Sequence, residues 1–167
     1  ASDPIEPLFQ RARELLGARQ LEAARDVIEA GLAAHPDTPC LLALRGELQA
    51  RAGRYPEALD DLDRALQGDP GQTSAWAMRG AVHESRGELV AALEDYRAAR
   101  RLQPGDPDLI VACGSVLARL GQPDPALADL TEALALEPDH PLALIERAFV
   151  RVGLGQPDAA RADLDRA

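Results

Sequence analysis

The residue types able to do chemistry are few in this chain, and their spacing is uninformative. Its 167 residues include three His and two Cys. His35 precedes a proline, His140 falls in a turn and His83 sits inside a helical pattern, so the three share no spacing. A metal site needs imidazoles, thiolates or carboxylates that converge. His83 could pack or could act as a ligand, and the sequence leaves both readings open. Asp60, Asp61 and Asp63 form a dense acidic run. Adjacent residues on a helix point to different faces, so the run reads as a solvated surface. No CxxC, HExxH, GxSxG or glycine-rich phosphate loop is present, and no nucleophile stands a readable helical step from a base. The expectation is no catalytic residue, no metal ligand and no cofactor.

The elements that carry these residues follow a fixed period. Stepping by 34 residues gives Ala12, Gly46, Gly80, Gly114 and Ala148. The same step gives Ala24, Ala58, Ala92, Ala126 and Ala160, and Pro36, Pro70, Pro104 and Pro138. A constant period of this size means an array of like units stacked on one another. Each unit reads as two helices. In the second, Cys40 to Ala52 is helical in pattern, Gly53-Arg54-Tyr55 is a turn, and Pro56 to Gln67 is helical again. Gly53 suits the left-handed residue that ends a helix. Pro56 suits a first helical turn, and Pro70 stops the second helix. Gly46 and Ala58 lack bulk, which lets two helix backbones approach closely.

Thirty-four residues, a large apolar residue (Leu42, Trp76, Ile110, Leu144), a small one, then Ala, a large apolar residue (Leu62, Tyr96, Leu130, Leu164), Ala and Pro: this resembles the tetratricopeptide repeat. Trp76, Gly80, Ala92, Tyr96, Ala99 and Pro104 make the third unit the nearest match. The first departs from the pattern, with Gly31 where Ala is usual and Arg19 where the turn Gly is usual. The resemblance covers Ile5 to Ala167. It implies an all-α fold: a right-handed superhelical array, or α-solenoid, of antiparallel helix pairs. The chain would be a single array over 1–167, with repeats 5–38, 39–72, 73–106, 107–140 and a truncated 141–167. It also implies a concave groove, lined by the first helices, that binds peptides or protein segments.

Composition narrows the partner. The formal charge is −10 and the pI about 4.7, which disfavours a phosphate backbone and hence nucleic acid. Part of that charge is ordinary solvation of outward helix faces. Aromatic residues are 3% of the chain, so the core must be Leu and Ala. All 18 basic residues are Arg, and there is no Asn. That bias fits a GC-rich, bacterial genome, with stabilising Arg ion pairs as the competing reason. No apolar run is long enough for a membrane span, and the first residues lack the apolar core of a signal peptide. Cys40 and Cys113 lie two units apart, ~20 Å by helix spacing, so both should be free thiols with Cys113 packed inside. This favours a cytoplasmic, reducing setting, or a periplasmic one for a processed form.

Two charged columns repeat. Asp61, Asp95, Asp129 and Asp163 fall in the second helices, and Arg11, Arg45, Arg79 and Arg147 in the first; Val27 and Cys113 are the exceptions. Their recurrence predicts an Arg–carboxylate ladder that sets register, either within a repeat or from each Asp to the next repeat's Arg. The competing reading is that each charge reaches separately to water.

Carried over residue by residue, the resemblance places on the groove Phe9, Arg13 and Leu16; Ala43, Glu47 and Ala50; Ala77, Ala81 and Glu84; and Val111, Ser115 and Ala118. The fifth repeat adds Leu142, Ile145, Phe149 and Val152. Two modes of recognition known in the family use Lys and Asn side chains, and neither residue type occurs here. The last four residues, spaced three, four and three apart, form one apolar helical stripe. Between Leu109 and Leu120 only Arg119 is charged. A helix apolar on all sides is normally buried on all sides, so this end of the groove should be covered. Three covers are open: an apolar or amphipathic peptide or helix of a partner, a further segment of the same polypeptide, or a second copy through self-association at the C-terminal end. The expected function is a non-catalytic protein-interaction scaffold. The alternatives are a homo-oligomerising structural element and a docking or regulatory arm of a larger enzyme.

Overall fold

The computed structural model describes residues 4–167 and is helical throughout. Among the described residues there are ten α-helices and no strand. The first helices of the repeats are α1 (Ile5–Gly17), α3 (Pro39–Arg51), α5 (Thr73–Ser85), α7 (Pro107–Arg119) and α9 (Pro141–Gly153). The second helices are α2 (Leu21–Ala34), α4 (Tyr55–Gly68), α6 (Leu89–Leu102), α8 (Pro123–Leu136) and α10 (Pro157–Leu164). Every start falls 34 residues after the equivalent start before it, and only α10 ends early. The sequence places helices over 40–52 and 56–67; the observed α3 starts and ends one residue earlier, and α4 is one residue longer at each end.

The turns explain this regularity. At the end of α3 the Gly53 N–H donates to the Ala50 carbonyl at 3.0 Å and the Arg54 N–H to the Gln49 carbonyl at 2.9 Å. This double bond pattern closes the helix around a left-handed residue. Gly53, Gly87, Gly121 and Gly155 hold φ values of 73° to 76°. In the first repeat Arg19 holds φ 57° and the same two bonds form, from Arg19 to Leu16 and from Gln20 to Leu15. The turn is therefore kept where the usual glycine is missing. Prolines supply the starts: Pro39, Pro107, Pro123, Pro141 and Pro157 each stand in a first turn, where the missing N–H costs nothing.

The chain divides into two compact units, one ending at Val82 and the other beginning at His83. The first unit packs α1 on α2, α2 on α3 and α3 on α4. A Cβ built on Gly46 would lie 2.8 Å from Leu62 Cγ and 3.2 Å from the Ala58 carbonyl oxygen. The small residue is what lets α3 and α4 meet so closely. Leu41, Leu42, Ile28 and Leu62 are fully buried there.

The second unit repeats the design. α7 packs on α8, α9 on α10, and α8 on α9, with α6 and α9 also against α7. Gly114 faces Leu130 as Gly46 faces Leu62. Leu109, Ile110, Val111, Cys113, Val116 and Leu117 are all buried, so α7 is covered by its own neighbours. This corrects the expectation that its all-round apolar surface needs an outside cover. No helix of the described residues is long and apolar enough to cross a membrane. Both cysteines are free thiols, Cys40 half-buried and Cys113 buried.

Candidate interaction surface

Most of the recurring charges face the helix seams, but Arg11, opposite Val27, is exposed and meets Glu14 of its own helix at 3.4 Å. Arg45 grips Asp61 with two bonds of 2.6 and 2.7 Å, and Arg147 grips Asp163 with bonds of 3.0 and 2.6 Å. Both carboxylates are almost fully buried. The same guanidiniums reach back to the preceding repeat: Arg45 to Glu29 at 3.4 Å and Arg147 to Thr131 Oγ1 at 3.4 Å. Arg79 likewise meets Asp63 at 2.6 Å. The link between repeats therefore runs to positions 29, 63 and 131, two residues beyond the Asp column. Where Cys113 replaces the arginine, Arg100 of α6 approaches Asp129 at 3.0 Å and Glu132 at 2.6 Å. Burial and the nearby Asp129 push the Cys113 thiol up to about 11, which makes it unreactive.

Two of the three histidines are also absorbed into the scaffold, while His35 is exposed. His140 caps α9: its Nδ1 accepts from the Ala143 N–H at 3.3 Å, and its Nε2 lies 2.9 Å from Asp108. His83 Nδ1 lies 2.6 Å from Glu88 Oε2, across the turn that follows α5. No group of three His, Cys, Asp or Glu among the described residues is arranged to hold a metal.

The expected groove residues fall into three sets. In the first unit Phe9, Arg13, Leu16, Ala43 and Glu47 line one recess of about 450 Å³. The Arg13 guanidinium stands 5.5 Å from the Phe9 ring centre, and Arg51 pairs with Glu47 at 2.6 Å. Leu16 is only 3% exposed and forms part of the core, so it offers no surface of its own. Ala77 and Ala81 are partly exposed on α5, and Ser115 on α7. Val111 is 1% exposed and belongs to the interior of the second unit. A first helix flanked on both sides buries positions that a single exposed face would display.

The third set stands apart. On α9, Leu142, Ile145, Phe149 and Val152 are exposed, Phe149 by 70%. The opposite face of the helix, Ala143, Leu144 and Ala148, is buried. Phe149 lines a recess of about 510 Å³ together with the apolar Ala118, Val150 and Leu154 and the charged Arg119 and Glu146. Glu146 has its carboxyl raised above the usual range, first by burial and then by the nearby Glu84 charge, against opposing help from Ser115 and Arg119. Glu84 is held by the Arg119 guanidinium at 2.5 Å and by the Tyr96 hydroxyl, which donates at 2.9 Å. Burial and that bond to Glu84 push the Tyr96 phenol far above its ordinary range. The polar edge of Glu84, Arg119 and Glu146 was not foreseen as a group. The three come from three repeats at different register positions, so no single helical pattern joins them.

A sequence model of the tetratricopeptide repeat matches residues 9–73, 44–107 and 114–167. The chain belongs to the tetratricopeptide repeat family. No curated protein sequence matches it significantly. Several solved tetratricopeptide structures share the fold. A crystal structure of MamA superposes with a TM-score of 0.81 at 19% identity, covering 93% of this chain and 91% of that one. YrrB, described as a TPR protein with an unusual peptide-binding site, gives 0.78 at 22% identity, covering 96% and 82%. A thermophilic TPR protein of Thermus thermophilus gives 0.74 at 25% identity, covering 97% and 91%. Within the tetratricopeptide pattern, the large residue at the third repeat's first helix behaves differently here. Trp76 is only partly buried, donates through Nε1 to the Pro70 carbonyl at 2.9 Å, and carries the Arg79 guanidinium 4.7 Å over its ring.

Proposed function

We propose that this tetratricopeptide protein is a non-catalytic interaction scaffold that holds an apolar or amphipathic segment of a partner protein on α9. One observation carries the reading: Leu142, Ile145, Phe149 and Val152 form a continuous exposed apolar stripe beside a recess large enough for a side chain. Single exposed apolar residues are ordinary, but a contiguous set on one helix marks an interaction site. The helix-in-groove mode uses anchors at this spacing. The rest of the chain fits the role, since two of its three histidines and most of its buried charges are committed to caps, turns and seams. A peptide-binding site in YrrB, a protein of the same fold, supports the same class of function. The two free thiols favour a cytoplasmic setting.

The test is to select peptides from a phage-displayed random library on the immobilised chain and measure their affinity for two variants. Phe149→Ala should weaken binding about 30-fold, the size of a hot-spot loss of roughly 2 kcal/mol. Leu136→Ala, which trims another exposed apolar residue on α8, should leave it unchanged. Equal binding by wild type and Phe149→Ala would overturn the reading. Concentration-dependent mass that disappears in Phe149→Ala would assign the stripe to a second copy of the chain instead.

A further inference from the structure

The edge of the α9 recess carries more negative charge than its own cation neutralises. Arg119 is committed to Glu84, which also accepts from Tyr96, so both Glu84 oxygens are engaged inside the unit. Glu146, one turn before Val150 on the same helix, lines the recess with Phe149 and Arg119. No guanidinium lies within ion-pair distance of Glu146 among the described residues. Among the described residues, burial and then the Glu84 charge oppose its ionisation, and Ser115 and the Arg119 charge only partly offset them. It is thus a half-buried carboxylate with spare acceptor capacity, placed where an apolar ligand side chain would pass.

Resting on the α9 reading above, we infer that the partner segment carries an Arg or Lys about one helical turn from its apolar anchor, and that this cation is received by Glu146. The anchor fills the space between Phe149, Val150 and Leu154, and the cation bridges Glu146 at the edge. Desolvated by the arriving segment, the carboxylate needs a donor, and a charge-assisted bond is the strongest available. An acidic segment would instead bring a third carboxylate beside Glu84 and Glu146. The formal charge of −10 over the whole chain steers the same class of partner at long range.

The peptides selected on the wild-type chain decide the matter. Those that need Phe149 should be enriched in Arg or Lys three or four positions from a large apolar residue. A synthetic copy should bind Glu146→Gln roughly tenfold more weakly than wild type, the loss of about one charge-assisted contact, and should weaken as salt rises. Glu146→Gln should melt where the wild type does, which separates lost recognition from lost folding. Recovered peptides that need Phe149 but are neutral or acidic, or that bind Glu146→Gln undiminished, overturn this inference and leave the α9 reading standing. Peptides indifferent to Phe149, or none recovered, overturn both. Self-association abolished by Phe149→Ala also overturns both, with the chain itself as occupant.

Discussion

Arg19 occupies a backbone position that four glycines hold in the later repeats, at φ 57°. A side chain in the left-handed region crowds its own carbonyl, a strain of about 1 kcal/mol or more. Glycine relieves it but gains freedom in the unfolded chain. Arg19→Gly should therefore raise stability by about 0.5–1 kcal/mol, a melting shift of about 2 °C in a chain of this size. Scanning calorimetry on the two proteins would check it, and an unchanged or lower midpoint would remove the strain argument. Asp61 and Asp163 give the opposite case. Removing Asp61 strands Arg45, a quarter exposed, so Asp61→Ala should cost about 2 kcal/mol in urea unfolding, between an exposed pair and a fully buried one. At Asp163 burial alone would raise the carboxyl, but Arg147 and Arg151 outweigh it and hold it below its ordinary value of 3.8. That stabilisation is complete above the unfolded value and is lost as pH falls through the folded one. The melting gap between wild type and Asp163→Asn should accordingly be widest near neutrality and close below about pH 4.

At the scale of the element, α9 is the helix whose two faces do different work. Leu144 is fully buried, and Phe149, five residues on, is mostly exposed. Leu144→Ala should lose about 2–5 kcal/mol, as a core truncation does. Phe149→Ala should change stability by no more than about 0.5 kcal/mol, as at a surface position. Thermal melts of the two variants at low concentration settle which side of the helix is core. The contrast was legible in the sequence, because Leu144 and Ala148 sit in the repeating core columns and Leu142, Ile145, Phe149 and Val152 do not. Helix starts and ends were legible to within about a residue for the same reason: prolines, turn glycines and small residues recur in phase. The burial of Leu16 and Val111 was not. Each lies on a first helix whose neighbours come from other repeats, and a one-helix pattern carries no record of how far those neighbours reach around it. Arg100 was missed on similar grounds, since its partner Asp129 lies 29 residues on, outside the period that reveals the other pairs.

For the whole molecule, the informative quantity is how charge divides between seams and surface. The 28 acidic residues exceed the 18 basic ones by ten. Several arginines are committed within the fold: Arg45, Arg147 and Arg151 to buried carboxylates, Arg100 to Asp129, Arg119 to Glu84. The pairs at the buried Asp61 and Asp163 are shielded from solvent and should persist at salt concentrations that screen the surface. Added salt should thus leave the melting transition nearly in place while slowing association with a basic segment. The sequence showed the excess of acid and the columns, but could not say which carboxylates remained unmatched, because Glu84, Arg119 and Glu146 meet only after three helices are packed. Composition showed the excess of acid, and packing showed where part of it is left without a close cation among the described residues.

The last helix carries a consequence for motion. α10 runs from Pro157 to Leu164 and packs on α9, so its order comes from that packing more than from helix propensity. Its buried residues are Ala160 and Asp163, and Asp163 is held by two guanidiniums that both belong to α9. While that double grip holds, the segment from Ala160 to Asp163 opens as one event. In hydrogen exchange at neutral pH, the amides of this stretch should share a single opening free energy. In Asp163→Asn they should separate into amides that open independently, each at its own rate.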